Sequence, residues 1–192
     1  MKLEKIILAS SSPRRKEILS KHHVAFEVAT TDIQENFCQH DTKEQIAMSL
    51  ALLKALDVEK KRDHGIIIAA DTLVYKNNVF GKPKDEADAF SMLKTLSGGC
   101  HHVITGVALI RSNTFEKMLF YDLTNVYFKE LTDDEILSYI DTDEIWGKAG
   151  SYAIQGKGAD LIEKIEGDYY NVMGLPFQKM KWMMEKYFHV KW

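Results

Sequence analysis

Residues 6–15 have the sequence IILASSSPRR, and this stretch decides how the fold begins. Its first three residues, Ile6-Ile7-Leu8, form a short apolar run that predicts a buried strand. Ser12 then precedes Pro13, which is typical of a helix start because serine is a preferred N-cap and proline fits the first helical position. The stretch therefore predicts a strand that turns directly into a helix.

Strand and helix signals interleave along the rest of the chain. Asn77-Asn78 predicts a hairpin turn between two short apolar runs, and Thr132 with Glu135 predicts a capping box at a helix start. Because antiparallel hairpins interrupt the alternation of strands and helices, we expect a mixed α/β sheet. The predicted strands are 6–8, 26–28, 66–70, 102–110, 115–128 and 161–165, and residues 147–158 are predicted to be loop and strand. Helices are predicted to start at residues 13 and 85, and three further helices are predicted over 43–62, 132–140 and 177–188.

The composition is that of an ordinary globular protein. The 192 residues are 45% apolar and 28% charged, so the chain can bury a core, and we expect one domain over residues 1–192. Its 25 lysines and arginines against 28 acidic residues give a net charge of −3, which argues against a general nucleic-acid binder. The apolar runs are too short for a membrane span, no secretory pattern is present, and a cytoplasmic location is expected.

The turn at residues 10–15 is the first candidate binding site. A helix N-terminus presents unpaired backbone N–H groups, and Arg14 and Arg15 occupy the first turn, where the helix dipole disfavours cations. A phosphate held by the guanidinium groups and the backbone would explain them. From these residues alone, a capped surface helix with two solvated arginines is an equal alternative.

Asp71, followed by Thr72, is the candidate for the chemistry. It comes directly after the apolar run 66–70, and α/β folds present ligand groups at the carboxyl ends of buried strands. The carboxylate can serve as a general base or a metal ligand, or it can form an Asx turn as the strand ends. Together with Asp32 and Glu35, Asp71 is a candidate for a magnesium site that keeps several waters.

Three further polar side chains are candidates for binding a phosphate or a base. Lys82 precedes Pro83, which fixes the backbone and can aim the ammonium at a phosphate, a solvated loop lysine being the alternative. Lys54 lies in a predicted helix, where it can reach a ligand or only extend to solvent. Gln155 offers a donor and an acceptor to a nucleobase edge, with a bond to a neighbouring loop as the alternative.

Taken together, these segments resemble the Maf family of nucleoside triphosphate pyrophosphatases. The resemblance covers nearly the whole chain, and its specificity comes from the order of the motifs. The matching stretches are Leu8–Arg15, Asp32–Glu35, Lys54-Ala55, Ala70–Thr72, Gly81–Pro83, Leu96–Gly98, Thr105–Val107, Lys148–Gly156 and Ile165–Pro176.

The resemblance implies a mixed twisted sheet with flanking helices, in two lobes around a deep cleft, similar to inosine triphosphate pyrophosphatases. It implies hydrolysis between the α and β phosphates, and the run Ser151–Gly156 resembles the branch that acts on dTTP and UTP. By position, Asp71 is implied to be catalytic and, with Glu35, a metal ligand. The implied substrate-binding residues are Ser10, Arg14, Arg15, Lys54, Thr72, Lys82 and Gln155, and Arg14, Thr72 and Gln155 are those implied to set base preference.

One loop departs from the family pattern. Where the family usually has Glu-Pro and then Asp before Lys-Ala-Gly, this chain has Glu144-Ile145-Trp146-Gly147 before Lys148.

The resemblance also implies the ligands. The expected cofactor is a divalent cation, Mg²⁺, with Mn²⁺ or Co²⁺ as alternatives, and the expected partner is a nucleoside triphosphate. No stable nucleic-acid or membrane partner is expected, and a homodimer is left open. Two alternatives for the function are hydrolysis of 7-methyl-GTP or other modified nucleotides, and a non-catalytic nucleotide- or nucleic-acid-binding protein linked to septum formation.

Overall fold

The computed structural model describes residues 4–31, 33 and 41–191, and its central feature is a mixed β-sheet. The strands are β1 (Ile6–Leu8), β2 (Phe26–Val28), β3 (Ile66–Tyr75), β4 (Val79–Phe80), β5 (Cys100–Arg111), β6 (Lys117–Phe128) and β7 (Ile162–Glu166). Among the described residues they pair in the order β2-β1-β3-β5-β6-β7, with β4 attached to β3. β1 is parallel to both β2 and β3, whereas β4 is antiparallel to β3 and β7 is antiparallel to β6. The predicted mixed α/β sheet is confirmed.

Five of the six described helices begin within one residue of the start that the sequence predicted. Thr42 and Thr132 each form a complete capping box, and Asp85 accepts a hydrogen bond from the backbone N–H of Asp88. The helices are α1 (Pro13–Lys21), α2 (Lys43–Glu59), α3 (Glu86–Leu96), α4 (Asp133–Ile140), α5 (Tyr169–Met173) and α6 (Phe177–Tyr187). In the described part of the chain, no helix has the length and apolar character needed to cross a membrane.

The chain divides into two units. The first consists of Met1–Asp71, Thr105–Asp122 and Gly174–Trp192, and the second of Thr72–Ile104 and Leu123–Met173. The strands β3, β5 and β6 contribute residues to both. This division agrees with the two lobes implied by the resemblance, while the deep cleft stays a prediction.

The core of the first unit is built from small side chains that let α2 approach the strands. Ala51, Ala55 and Val58 of α2 share one buried cluster with residues of β1, β3 and β5, which are Ile7, Ile67, Ala69, Ala108 and Ile110. At Gly106 of β5, an added Cβ would lie 2.3–2.4 Å from backbone atoms of Ala47 and Met48. The motif Thr105-Gly106-Val107 therefore has a packing role, because only glycine allows this distance between helix and strand.

β3 is twice as long as the sequence predicted. Its second half pairs with β4, with Val74 opposite Phe80 and Tyr75 opposite Val79, so the hairpin extends the strand through Asp71. The prediction that Asp71 follows the end of a strand is wrong, and so is the alternative of an Asx turn, since Asp71 is the sixth of ten strand residues. The parallel pairing with β1, however, ends at Ile68, so Asp71 still lies beyond the carboxyl end of the parallel part of the sheet.

Residues 147–158 do not contain the predicted strand. They include the 3₁₀ turn Ala149–Ser151 and the start of a second, Gly156–Leu161, because three glycines with φ near +70° interrupt the extended backbone. The short helix α5 was missed, and α2 ends at Glu59, three residues before the predicted end.

Candidate functional site

Asp71 and Lys54 form a buried ion pair in the first unit. The Lys54 ammonium donates a hydrogen bond to Oδ1 of Asp71, and the two side chains are only 13% and 11% exposed. Ile67, Ala69 and Asp71 alternate along β3 and so share the face that packs on α2. Because Lys54 precedes Ala55, which is part of this packing, its ammonium reaches the carboxylate.

This pair determines which chemistry the site can perform. An ionised carboxylate only accepts hydrogen bonds, so Asp71 can take a proton from water or coordinate a cation. The hydrogen bond from the neighbouring ammonium holds this carboxylate in one orientation. The alternative in which Lys54 only extends into solvent is wrong.

Ser10 and Arg15 form a second polar group of the first unit, at the start of α1. The Ser10 hydroxyl accepts hydrogen bonds from the backbone N–H of Ser12 (3.2 Å) and from Nη1 of Arg15 (3.1 Å). Nε of Arg15 donates to the carbonyl oxygen of Gly174 at 2.8 Å. With both acceptor positions of its hydroxyl used, Ser10 keeps its proton to donate to a third group, as an anion would require.

The first turn of α1 is as basic as the sequence predicted. It contains Arg14 and Arg15 and no acidic residue, and both arginines are half-buried. The alternative of two solvated arginines is therefore wrong for Arg15. Ser12 occupies the N-cap position, but its side chain makes no cap hydrogen bond.

The predicted metal ligands are only partly within the described residues. Asp71 is described, whereas Asp32 and Glu35 lie outside. Within residues 4–31, 33 and 41–191, no group of three or more His, Cys, Asp or Glu side chains is placed to hold a metal ion. The donor chemistry of Asp71 still fits magnesium, which binds through one or two carboxylates and completes its shell with water and substrate phosphates.

In the second unit, Lys82 follows β4 on an anchored loop. The Lys82 side chain is exposed, and the next residue, Pro83, is buried. The carbonyl oxygen of Gly81 accepts a hydrogen bond from the N–H of Gly150 at 3.1 Å, which ties this loop to the start of the segment that contains Gln155. Thr72 is half-buried on β3.

Gln155 ends a buried stretch of the second unit. Tyr152, Ala153 and Ile154 are each 4–5% exposed, whereas Gln155 is half-buried and precedes the 3₁₀ turn Gly156–Leu161. The buried residues fix the backbone, and Gln155 is the residue at which the chain returns to the surface. Its amide is therefore carried on a well-packed support, as a recognition group needs.

The motif Ile165–Pro176 contains a polar network that the sequence did not indicate. Asn171 is fully buried, and its side-chain amide donates to the carbonyl oxygen of Val103 and to the Thr124 hydroxyl, each at 3.0 Å. That hydroxyl also exchanges two hydrogen bonds of 3.1 Å with the backbone of Asp168. Asn171 thus joins α5 to β5 and β6, a role that depends on contacts distant in sequence.

His101 is a buried neutral ring in the second unit. Burial, and then the positive charges of Lys76 and His102, lower the pKa of His101 to about 3. Nε2 of His101 is 2.8 Å from the Tyr152 hydroxyl, and the ring packs edge-on against Phe128 and Tyr152. His101 therefore supports the segment that leads to Gln155.

A cavity of about 460 Å³ lies elsewhere in the first unit. It is lined by Ile33, Leu53, Leu56, Asp57, Glu59, Lys60 and Asn113. Among the site residues that the structure describes, none lines this cavity.

Comparison with known proteins gives a match over almost the whole chain. The family described as Maf-like protein matches residues 5–187. A dTTP/UTP pyrophosphatase of Alkaliphilus metalliredigens (strain QYMF) is 48% identical over 189 residues, covering 98% of each chain. The dTTP/UTP pyrophosphatases of Alkaliphilus oremlandii (strain OhILAs) and Clostridioides difficile (strain 630) are 47% and 44% identical, covering 98% and 96% of each chain.

Proposed function

Because the chain belongs to the Maf-like protein family, we propose that it is a metal-dependent pyrophosphatase that hydrolyses dTTP and UTP to the monophosphate and pyrophosphate. The observation that carries this proposal is the 44–48% identity, over nearly the full length, with relatives named dTTP/UTP pyrophosphatase. The buried Asp71, which faces the Lys54 ammonium, supplies the kind of carboxylate that the reaction needs. Residues 1–192 then act as one catalytic domain.

Asp71 is the proposed catalytic residue. In the reaction, the oxygen of water forms a bond to the α-phosphorus, the bond from this phosphorus to the α–β bridging oxygen breaks, and pyrophosphate leaves. Asp71 accepts the proton that water loses. The Lys54 ammonium keeps the carboxylate oriented through its bond to Oδ1.

The phosphates are bound by cations and a hydroxyl. Ser10 and Arg15 act as one unit at the start of α1, because the guanidinium is already hydrogen-bonded to the hydroxyl. Lys82, exposed on its loop, contributes a further positive charge. The proposed phosphate-binding residues are Ser10, Arg15, Lys54 and Lys82.

The proposed metal ligands are Asp71 and Glu35, with Mg²⁺ as the cation and Mn²⁺ or Co²⁺ as alternatives. When bound, such a cation neutralises charge on the phosphates and polarises the phosphorus toward attack. Arg14, Thr72 and Gln155 are the proposed base-recognition residues, and Gln155 pairs with the N3–H and a carbonyl of uracil or thymine. We further propose a cytoplasmic protein without nucleic-acid or membrane partners, and a homodimer as its assembly.

A substrate panel tests this function. Pyrophosphate release is measured for UTP, dTTP, CTP, the purine triphosphates and 7-methyl-GTP, each with Mg²⁺, Mn²⁺ or Co²⁺ and each without added metal. We expect metal-dependent release that is fastest with UTP and dTTP. A preference for 7-methyl-GTP would contradict the pyrimidine assignment, and nucleotide binding without pyrophosphate release would contradict an enzymatic function.

A further inference from the structure

The loop that departs from the family pattern carries a carboxylate aimed at the backbone after Gln155. Glu144 follows α4 in a turn whose conformation is set locally: its own N–H donates to the Thr142 hydroxyl, and Ile145 is fully buried. Trp146, by contrast, is exposed, with its indole N–H bonded to Asp143. The buried Ile145 and the bond to Thr142 fix the turn, so Glu144 is held in one direction.

Glu144 performs the task of a helix N-cap for the turn that Gln155 begins. Gln155 is the N-cap residue of the 3₁₀ turn Gly156–Leu161, yet its side chain makes no cap hydrogen bond. The two carboxylate oxygens of Glu144 instead accept from the N–H groups of Lys157 (3.1 Å) and Gly158 (3.2 Å). These are the second and third positions of the turn, the two that an N-cap side chain ordinarily satisfies.

The fit leaves no space for larger residues on this loop. At Gly156, which has φ +65°, an added Cβ would lie 2.4 Å from Oε1 of Glu144. At Gly158 it would lie 2.1 Å from the Ala153 carbonyl oxygen and 2.9 Å from the Tyr139 hydroxyl. Tyr139, from α4, also accepts a hydrogen bond from the N–H of Ala153 at 3.2 Å. The backbone on both sides of Gln155 is thus held from α4 and from the turn that follows it.

We propose that Glu144 is a positioning residue for base selection: by capping the turn that Gln155 begins, it fixes the backbone from which the Gln155 amide reaches the nucleobase. This inference rests on the proposed function, since it assigns Glu144 to the base-recognition step. Without Glu144, the N–H groups of Lys157 and Gly158 lose their acceptor. The side-chain carbonyl oxygen of Gln155 is the acceptor nearest in sequence that can replace it. Glu144 therefore affects the choice of base and not the bond-breaking step.

The test compares Glu144→Ala and Glu144→Gln with Glu163→Gln as the control, an exposed acidic residue on β7. We expect the ratio of kcat/KM for UTP over CTP to fall about tenfold in Glu144→Ala, through a higher KM for UTP with kcat within about threefold. Glu144→Gln keeps one acceptor oxygen and should lose less, and Glu163→Gln should match the unaltered enzyme. If Glu144→Ala does not fold, a drop of about threefold in the UTP-to-CTP ratio of kcat/KM in Glu144→Gln supports the inference instead.

A double variant distinguishes positioning from a general structural effect. If Glu144 acts through Gln155, adding Glu144→Ala to Gln155→Ala leaves the UTP-to-CTP ratio unchanged, because the group being positioned is gone. A further tenfold loss in the double variant, or an unchanged ratio in both Glu144 variants, overturns the inference while the enzyme still hydrolyses UTP. Absence of UTP hydrolysis by the unaltered protein overturns the proposed function itself, and the base-positioning role with it.

Discussion

Lys54 donates a hydrogen bond to Asp71 across the α2–β3 packing, and neither side chain is more than 13% exposed. Such a pair is costly to bury, since both ions lose hydration, and the mutual attraction only partly offsets that loss. A pair kept in these surroundings provides a carboxylate whose direction is fixed by its partner. This is the property that a positioned general base needs.

Replacing Asp71 with Asn tests this assignment. The amide has the shape of the carboxylate but neither its charge nor its basicity, so we expect kcat to fall by about 10²–10⁴. Steady-state pyrophosphate release measures the effect, and circular dichroism checks the fold. Asp122→Asn is the control because Asp122 also pairs with a lysine, Lys179 at 2.9 Å, but on a more exposed surface. Near-full activity of a folded Asp71→Asn protein would show that Asp71 is not catalytic.

We expect the loss of Arg15 to reduce both stability and triphosphate binding, and the loss of Lys82 to reduce triphosphate binding alone. Arg15→Ala removes the half-buried bonds to Gly174 and Ser10, so we expect a loss of about 1–3 kcal/mol in stability together with weaker triphosphate binding. Lys82→Ala removes an exposed ammonium, so stability should change by less than about 0.5 kcal/mol while kcat/KM falls about tenfold or more. Urea denaturation and steady-state kinetics on both variants separate the two. A large loss of stability in Lys82→Ala with normal kinetics would make this lysine structural.

Gly106→Ala should displace α2 from β5. The added methyl would overlap the backbone of Ala47, where no side chain can move aside, and we expect a loss of about 1–3 kcal/mol or more in the free energy of unfolding. Since Lys54 lies on the same helix, kcat should fall as well. Gly81→Ala is the stability control, because nothing lies within 4 Å of the position of its added Cβ. Equal stability of the two variants would contradict the close approach seen at Gly106.

His101 predicts a pH dependence of stability. Its pKa is about 3 in the folded protein and about 6.5 in the unfolded chain, so between these values the unfolded chain binds a proton that the native state does not. Stability is therefore fully present above pH 6.5 and is lost as the pH falls toward 3, by about 2 kcal/mol between pH 7 and pH 5 from this one group.

The measurement compares urea denaturation at pH 7 and pH 5. His101→Phe keeps an aromatic ring against Phe128 and Tyr152 but cannot be protonated, so this variant should lose about 2 kcal/mol less than the unaltered protein over that range. An identical pH dependence in His101→Phe would mean that His101 is not the group responsible.

The fold could be predicted from the sequence wherever the signal was local. The capping box at Thr132, the Ser12-Pro13 start and the Asn77-Asn78 hairpin all depend on neighbouring residues, and the structure has each element in place. The family was also predicted correctly, because an ordered set of motifs is far more specific than any one of them.

Contacts between distant segments could not be predicted in the same way. The bond from Lys54 to Asp71 requires knowing that α2 covers the face of β3 that carries Asp71, and the network of Asn171 requires knowing which strands lie beside α5. The length of β3 was missed because pairing with β4, and not its apolar run alone, decides where the strand ends. Glu144 was visible as the start of a loop whose following residues depart from the family pattern, but its partners Lys157 and Gly158 are 13 and 14 residues away.

Base choice is the prediction that depends most on one side chain. Uracil and thymine present an N3–H donor between two carbonyl acceptors, and the Gln155 amide can satisfy a donor and an acceptor together. Cytosine presents an unprotonated N3 beside an amino group, so the same amide orientation would leave polar groups unpaired. Each such group costs about 1–3 kcal/mol when buried, which corresponds to roughly tenfold or greater discrimination.

We therefore expect UTP and dTTP to be hydrolysed at least about tenfold more efficiently than CTP, measured as kcat/KM for pyrophosphate release. Gln155→Leu removes both hydrogen-bonding groups and Gln155→Glu replaces the donor with a second acceptor, so both should reduce the preference while phosphate chemistry at Asp71 continues. Gln178→Leu is the matched control, since Gln178 is exposed on α6 and is not part of the proposed site. Equal kcat/KM for UTP and CTP in the unaltered protein would contradict the role of Gln155. It would not contradict the pyrophosphatase activity, because bond cleavage depends on Asp71 and the phosphate-binding cations and not on the base.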